Sequence, residues 1–246
     1  MSEPVLTMSA NWHEEADFLA EQIRTYASDG QHLQILEAGC GQDWPLDLDG
    51  LSYTLTGIDL DPDALAMRVD KGDLDHAEVG DLRNVALPEG QFDVIFNSFV
   101  IEHVDGAELV LDNFVRWLKP GGLLLLRFPD KESVYGFVTS ASPHWFHVFY
   151  KRWIVGNKNS GKPGHEPFRT FYDPVVSRSG FRRFCEAREL VIQVERGFPT
   201  TELASGIRTS LAVAGARAVG ALSMGHLSSA HMWLTYAVRK PSADVS

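Results

Sequence analysis

The sequence predicts an α/β fold built on a mostly parallel sheet. Three observations predict it. Short runs that read apolar throughout, among them QILEAG, YTLTGIDL and FDVIFNSFV, each end in turn residues. Patterns of helical period alternate with them. Strands apolar at every position need both faces covered, and strand–helix alternation supplies that cover. Such sheets bind ligands outside the carboxyl ends of their strands.

Taken in order, Asn11 and Glu14 have the spacing of a capping box. Trp12, Ala16, Leu19, Ile23 and Tyr26 then recur at helical spacing, with Gly30 as a stop. QILEAG is the first strand and YTLTGIDL the second. DPDALAMRV follows as a helix with Pro62 in its first turn. HAEVGD is a third strand, weak on pattern alone, and FDVIFNSFV a fourth. From Gly106 to Leu118 the period is again helical, with Leu109, Val110, Phe114, Val115 and Leu118 on one face. KPGG ends it and LLLLRFP is a fully buried strand.

Residues 131–172 change character, rich in aromatics, glycine and positive charge, and are too long for an ordinary connection. They read as a lid or insertion. Asp173 as cap and Pro174 at the first position predict a helix over Val175 to Arg188. LVIQVERGF is a strand, Leu203 to Met224 a small-residue helix, and MWLTYAVRK the last strand. The expected organisation is one domain over 1–246. It comprises an N-terminal helix (1–30), a binding core (31–130), the lid (131–172) and the C-terminal part of the sheet (173–246).

With 44% hydrophobic residues, the 246-residue chain has ample material for a core. Its 22 basic against 33 acidic residues give a formal charge of -11, which argues against nucleic acid as a partner. Cys40 and Cys185 form no C-x-x-C pair, so neither a disulfide framework nor a cysteine zinc site is expected. The N-terminus shows no secretory pattern. The apolar stretch from Leu203 to Met224 is interrupted by Arg208 and Arg217, so no stable membrane insertion is expected. The cytoplasm is the simplest address, and the expected state is a monomer or a homodimer.

Gly39-Cys40-Gly41 at the end of the first strand looks like a nucleotide-binding turn. A dinucleotide fingerprint places a third glycine where this chain has Trp44, an indole that blocks close helix–strand packing. Either the loop serves another ligand or the glycines form only a turn.

Four blocks bear on that choice: ILEAGCG, TGIDLDPDAL, VGDLRNVALPEGQFDVIFNSFVIEHV and WLKPGGLLLLRFPD. In this order, over Gln34–Asp130, they resemble the class I S-adenosylmethionine-dependent methyltransferases, especially their small-molecule branch. The resemblance implies a Rossmann-like, doubly wound, mostly parallel seven-stranded sheet, with an antiparallel last strand and an inserted lid. It implies S-adenosylmethionine as cofactor and S-adenosylhomocysteine as product. Gly39 and Gly41 would let backbone approach the methionine part, with Cys40 between them an inert small residue. Glu37 would accept a hydrogen bond or balance the cofactor's cationic end. Asp59 would take the ribose hydroxyls, with Leu60 beside it. Asp81 and Leu82 would contact adenine, and Asn97, Ser98 and Phe99 would flank the methionine and its methyl group. Each has a plainer alternative: a tight turn at the glycines, a helix cap at Asp59, a turn cap at Asp81. In place of the family's third small residue and amphipathic helix stand Gln42, Asp43, Trp44 and Pro45. A short or irregular segment is expected there.

A hydroxyl acceptor benefits from a positioned base, usually histidine. His144 follows the fifth strand, where sugar O-methyltransferases of this architecture often place one, and His103 in IEHV is the second candidate. Trp145, His147, Tyr150, His165 and Arg169 combine aromatic faces with polar donors, a set suited to a sugar ring. The expected acceptor is thus a sugar or glycoside hydroxyl, such as that of a mannoside or another cell-envelope or storage saccharide. Arginine exceeding lysine, with frequent alanine, glycine and valine, fits a GC-rich, actinobacterial source. The alternatives are methylation of a lipid, quinone or polyketide hydroxyl or carbon, and a catalytically degenerate binding or regulatory domain. No N/D-P-P-Y/F motif follows the fourth strand, which disfavours adenine N6 as acceptor. A divalent metal such as magnesium is compatible with the acidic and histidine side chains near the lid, but no spacing identifies its ligands.

Overall fold

A computed structural model describes residues 5–141, 170–203 and 207–242. Its strands are β1 (Thr7–Met8), β2 (His32–Ala38), β3 (Ser52–Asp59), β4 (His76–Val79), β5 (Phe92–Ser98), β6 (Leu118–Pro129), β7 (Val191–Pro199) and β8 (His231–Arg239). The helices are α1 (Trp12–Tyr26), α2 (Pro62–Lys71), α3 (Ala107–Trp117), α4 (Val134–Ala141), α5 (Arg178–Ala187) and α6 (Ile207–Leu222). The strands form one sheet in the order β1-β7-β8-β6-β5-β2-β3-β4. Every pairing is parallel except those of β8, which runs against both β6 and β7. The fold is Rossmann-like, as the sequence implies, with eight strands rather than seven. The extra one is Thr7–Met8, paired with Arg196 and Gly197 of β7. Two residues are too few to show a period.

Alternation along each strand sends its side chains to two faces. On one face, Ile95 of β5 and Leu124, Leu126 and Phe128 of β6 pack with Val110, Leu111 and Phe114 of α3 and Phe181 of α5. On the other, Leu33, Ile35, Val94, Phe96, Leu123 and Leu125 pack with Leu19, Ala20 and Ile23 of α1 and Leu65 of α2. Helices thus cover both faces, which is why the central strands read as apolar throughout.

Caps fix several helix starts. Asn11 Oδ1 accepts from Glu14 N at 3.1 Å, and Glu14 reaches back to Ala10 N. Asp61 caps α2 through Asp63 N, with Pro62 in its first turn, as expected. The helix expected over Val175 to Arg188 is shorter. Ser177 caps it, its Oγ accepting from Gly180 N, and it begins at Arg178. Asp173 instead serves α3, whose N-cap Gly106 has no side chain. Asp173 Oδ2 accepts from Gly106 N at 2.9 Å and Ala107 N at 2.8 Å.

Between Gly41 and Leu51 no helix forms, in line with the irregular segment expected after the glycine loop. Leu46 and Leu48 bury there instead, and Trp44 meets Phe96 edge-on at 5.9 Å. Among the described residues no helix is long and apolar enough to cross a membrane.

Candidate active site

The chain runs from β2 outward through β3 to β4, then returns to place β5 on the other side of β2. The strand order therefore reverses between β2 and β5, and the crevice at their carboxyl ends is the expected ligand site of an open α/β sheet. The glycine loop leaves β2 on one side, and Ser98-Phe99 leaves β5 on the other.

The loop is held from three directions. Gly39 N and Cys40 N both donate to Ile58 O, at 2.8 and 3.1 Å. Gly41 N donates to Asp59 Oδ2 at 2.9 Å. From below, Arg68 Nη1 donates to Cys40 O at 2.8 Å, and Lys71 Nζ to Gln42 O at 2.7 Å. Both glycines lie in the left-handed region, Gly39 at φ +74° and Gly41 at φ +54°. Their surroundings differ. A Cβ on Gly39 would sit 2.3 Å from Val100 Cγ2, whereas one on Gly41 would meet nothing within 4 Å. Gly39 is required by packing, and Gly41 presents bare backbone on an open side.

Asp59 closes β3 with Oδ1 accepting from Asp61 N at 3.0 Å and Oδ2 from Gly41 N. A carboxylate has about four acceptor sites, so each oxygen keeps a lone pair for a diol. Leu60 beside it is exposed. Asp81 is held by Arg83, Nη2 to Oδ2 at 2.5 Å, which lowers its carboxyl below the usual range. Leu82 is buried in the core and its carbonyl accepts from Asn113 Nδ2 at 2.8 Å.

Glu37 is buried, with Oε2 bound to Arg68 Nη2 at 2.8 Å. Arg68 also binds Asp73 through Nε at 2.5 Å and is itself fully buried. Burial pushes the Glu37 carboxyl up to about 8, with the guanidinium working against that rise. Cys40 is buried and its thiol is pushed up to about 12 by burial, consistent with an inert residue.

At β5, Asn97 Nδ2 donates to Ala38 O at 2.8 Å across the crevice, and its buried Oδ1 has no partner among the described residues. Ser98 Oγ accepts from Arg127 Nε at 3.0 Å. Phe99 adopts φ +56°, a strained conformation for an aromatic residue of the kind that clusters at functional sites. It stacks on Trp12 with ring centroids 6.1 Å apart and meets Trp233 edge-on at 5.5 Å.

His103 ends a 3-10 turn over Ile101–His103, with Nε2 3.8 Å from Glu102 Oε1. Glu102 is buried and its Oε2 has no hydrogen-bond partner among the described residues. Burial pushes its carboxyl up to about 8 from its ordinary value of 4.5. The folded state therefore keeps a proton that the unfolded chain releases between those two values. Stability from this group is full below pH 4.5 and is lost as pH rises toward 8. Glu102→Gln, which is neutral throughout, is expected to gain on the wild type by on the order of 4 kcal/mol between acid and mildly alkaline pH. Urea unfolding at both ends of that window checks it; an equal difference at both would refute the assignment.

His144, Trp145, His147, Tyr150, His165 and Arg169 lie outside the described residues. Among the described residues no group of three or more His, Cys, Asp or Glu is arranged to hold a metal ion. The crevice thus brings together Glu37, Gly39, Cys40, Gly41, Asp59, Asn97, Ser98 and Phe99. Sequence reasoning missed Arg68, Glu102 and Arg127. For Arg68 the signal is a charge on the apolar stripe of α2, four places after Ala64; for Arg127 it is a charge inside LLLLRFP.

Comparison with known proteins agrees with this geometry. Residues 36–126 match the family described as "Methyltransferase domain". Over 102 residues the chain is 36% identical to a Mycolicibacterium smegmatis protein named "Probable S-adenosylmethionine-dependent methyltransferase", covering 39% of this chain and 38% of that one. Over 122 residues it is 27% identical to a ubiquinone biosynthesis O-methyltransferase of Rickettsia typhi, covering 46% and 48%. The chain thus spans about two fifths of the first relative and about half of the second. Among solved structures, an S-adenosylmethionine-dependent methyltransferase from Mesorhizobium loti is similar at TM-score 0.53 and 16% identity, over 91% of this chain and 99% of that one. The [4+2]-cyclase SpnF is similar at TM-score 0.54 and 15% identity, over 95% and 84%. These two show the fold alone.

Over residues 36–126 the chain is thus similar to the S-adenosylmethionine-dependent methyltransferases. The cofactor that this family implies is S-adenosylmethionine, and the residues fit it: open bare backbone at Gly41, and a strand-end carboxylate at Asp59.

Proposed function

We propose that this chain transfers a methyl group from S-adenosylmethionine to a hydroxyl oxygen of a small molecule. The observation that carries this reading is the open Gly41 backbone held by Asp59 directly across the β2–β5 crevice from Ser98 and the strained Phe99. When bound, S-adenosylmethionine supplies an electrophilic methyl on a sulfonium. The chain's own part is to bind, to orient and to take a proton. Asp59 accepts from the ribose hydroxyls, the Gly39–Gly41 backbone lies along the methionine part, and Asp81 and Leu82 face adenine. Ser98 and Phe99 form the wall beside the methyl group, where fixed geometry supplies much of the rate of a displacement. A histidine takes the acceptor's proton. His144 is the first candidate, from its place after β6; His103, beside the Glu102 carboxyl, is the second.

The finer form of the reading is a sugar or glycoside hydroxyl, supported by the aromatic and basic composition of 142–169. A lipid or quinone hydroxyl is the second reading, favoured by the similarity to the ubiquinone biosynthesis enzyme. Incubation with S-adenosylmethionine and a panel of glycosides and amphipathic phenols, read by mass spectrometry, separates the two. On the accepted substrate, His144→Ala is expected to lower kcat by about a hundredfold or more. Unchanged turnover in His144→Ala would transfer the role to His103, and a lack of methylated product across the panel would count against both acceptor classes.

A further inference from the structure

Arg127 is a buried charge near the carboxyl end of β6. It lies on the α1 face of β6, in register with Ser98 of β5 on one side and Thr235 of β8 on the other. The residue is 3% exposed, yet the hydrogen bonding of its guanidinium among the described residues is a single contact, Nε to Ser98 Oγ at 3.0 Å. Nη1 is buried without a partner among the described residues. A guanidinium carries five donors and is always charged, and a charge this deep is costly unless paired.

Among the described residues no carboxylate forms an ion pair with it, although the charge of Glu15 acts on it. Glu15, the nearby acid on α1, is engaged by Ser9 Oγ and Thr235 Oγ1 and lies 3.9 Å from Arg196 Nε. The other basic groups of the sheet's interior contrast with this: Arg68 has Glu37 and Asp73, and Arg178 and Arg182 share Glu195. Arg127 faces rings instead, with Cζ 4.4 Å from the centroid of Trp12 and 5.2 Å from that of Phe99. Trp233 closes the cluster, 5.9 Å from Trp12 and 5.5 Å from Phe99, and its Nε1 is a second buried donor without a partner among the described residues. Two unmatched donors therefore lie in one aromatic cluster, with no unmatched acceptor in it among the described residues. Trp12 is 46% exposed, so the cluster has a side open to solvent.

We propose that Arg127 and Trp233 form the acceptor's docking subsite, and that the methylated molecule carries an oxyanion, a carboxylate or a phosphate, on a flat apolar body. This rests on the methyltransferase reading, because it takes Ser98 and Phe99 to border the transferred methyl. Arg127 is bonded to Ser98, so the anionic group lies beside the reacting atom. The acceptor is then an acid or an acidic glycoside rather than a neutral sugar.

Calorimetry on enzyme saturated with S-adenosylhomocysteine tests this with three probes of one shape: benzoate, phenyl phosphate and benzamide. A hydrogen bond to a charged group contributes about 1.5–3 kcal/mol, so one anion is expected to bind at least about tenfold more tightly than the amide. Whichever anion wins identifies the group. In Arg127→Gln the preference should disappear, while Arg127→Lys keeps the charge and should keep part of it. S-adenosylhomocysteine binding by each variant reports that the cofactor half is folded. Equal affinity for all three probes, or none for any, in wild-type enzyme that does bind S-adenosylhomocysteine would overturn the subsite and mean that water alone satisfies these donors. Failure of the wild type to bind S-adenosylhomocysteine would instead strike at the methyltransferase reading.

Discussion

Arg68→Ala is expected to be strongly destabilising, by roughly 3–5 kcal/mol in urea unfolding, because it empties a buried site and leaves buried polar groups without their donor. Arg68 is fully buried on α2 and bridges Glu37, Asp73 and the carbonyl of Cys40. Its removal leaves the buried Glu37 carboxyl and the Cys40 carbonyl without a donor and frees the glycine loop from its lower support. The second substitution Glu37→Gln, made in the same chain, is expected to restore little at neutral pH, because burial already holds the Glu37 carboxyl largely protonated. If Arg68→Ala costs less than about 1 kcal/mol, a value typical of exposed pairs, the network is not the support that the geometry indicates.

Asp59→Ala is expected to weaken S-adenosylhomocysteine binding by on the order of a hundredfold or more. Two hydrogen bonds to a charged acceptor at about 1.5–3 kcal/mol each are lost, and Gly41 N loses the oxygen that orients it. Asp59→Asn keeps an acceptor and a similar shape, so its loss should be intermediate. Calorimetry measures both, and unfolding curves separate binding from stability. An affinity within about threefold of the wild type would mean that Asp59 only caps the β3–α2 turn.

These two residues also mark the limit of what could be read from the sequence. Asp59 is legible because an acid at the end of a strand, before a Pro-started helix, can be placed without knowing any other contact. The strands β2, β3, β5 and β6 are legible for a related reason, since burial on both faces leaves a continuous apolar run. Arg68 is not legible as a partner of Glu37, because the two are brought together only when α2 packs against β2. Asp173 is a similar case. Its local pattern fits the start of the following helix, but its carboxylate is drawn to the bare N-terminus of α3, far away in the chain. Thr7–Met8 is too short to carry a period. Arg127 stands out as a charge in an apolar run, but the rings around it come from α1, β8 and the turn after β5, which only the fold assembles.

The glycine loop shows how the two kinds of information combine. Gly39 and Gly41 look alike in the sequence, yet Val100 fills the space at one and nothing fills it at the other. The irregular segment after them takes its place through Leu46, Leu48 and Trp44, whose burial replaces the packing of a helix.

The central claim is that the crevice between β2 and β5 holds S-adenosylmethionine. Titration of the wild-type chain with S-adenosylhomocysteine tests it most directly. Saturable binding at one site per chain is predicted, with a Tm that rises as ligand is added because the ligand binds the folded state. A flat titration with an unmoved Tm would contradict it.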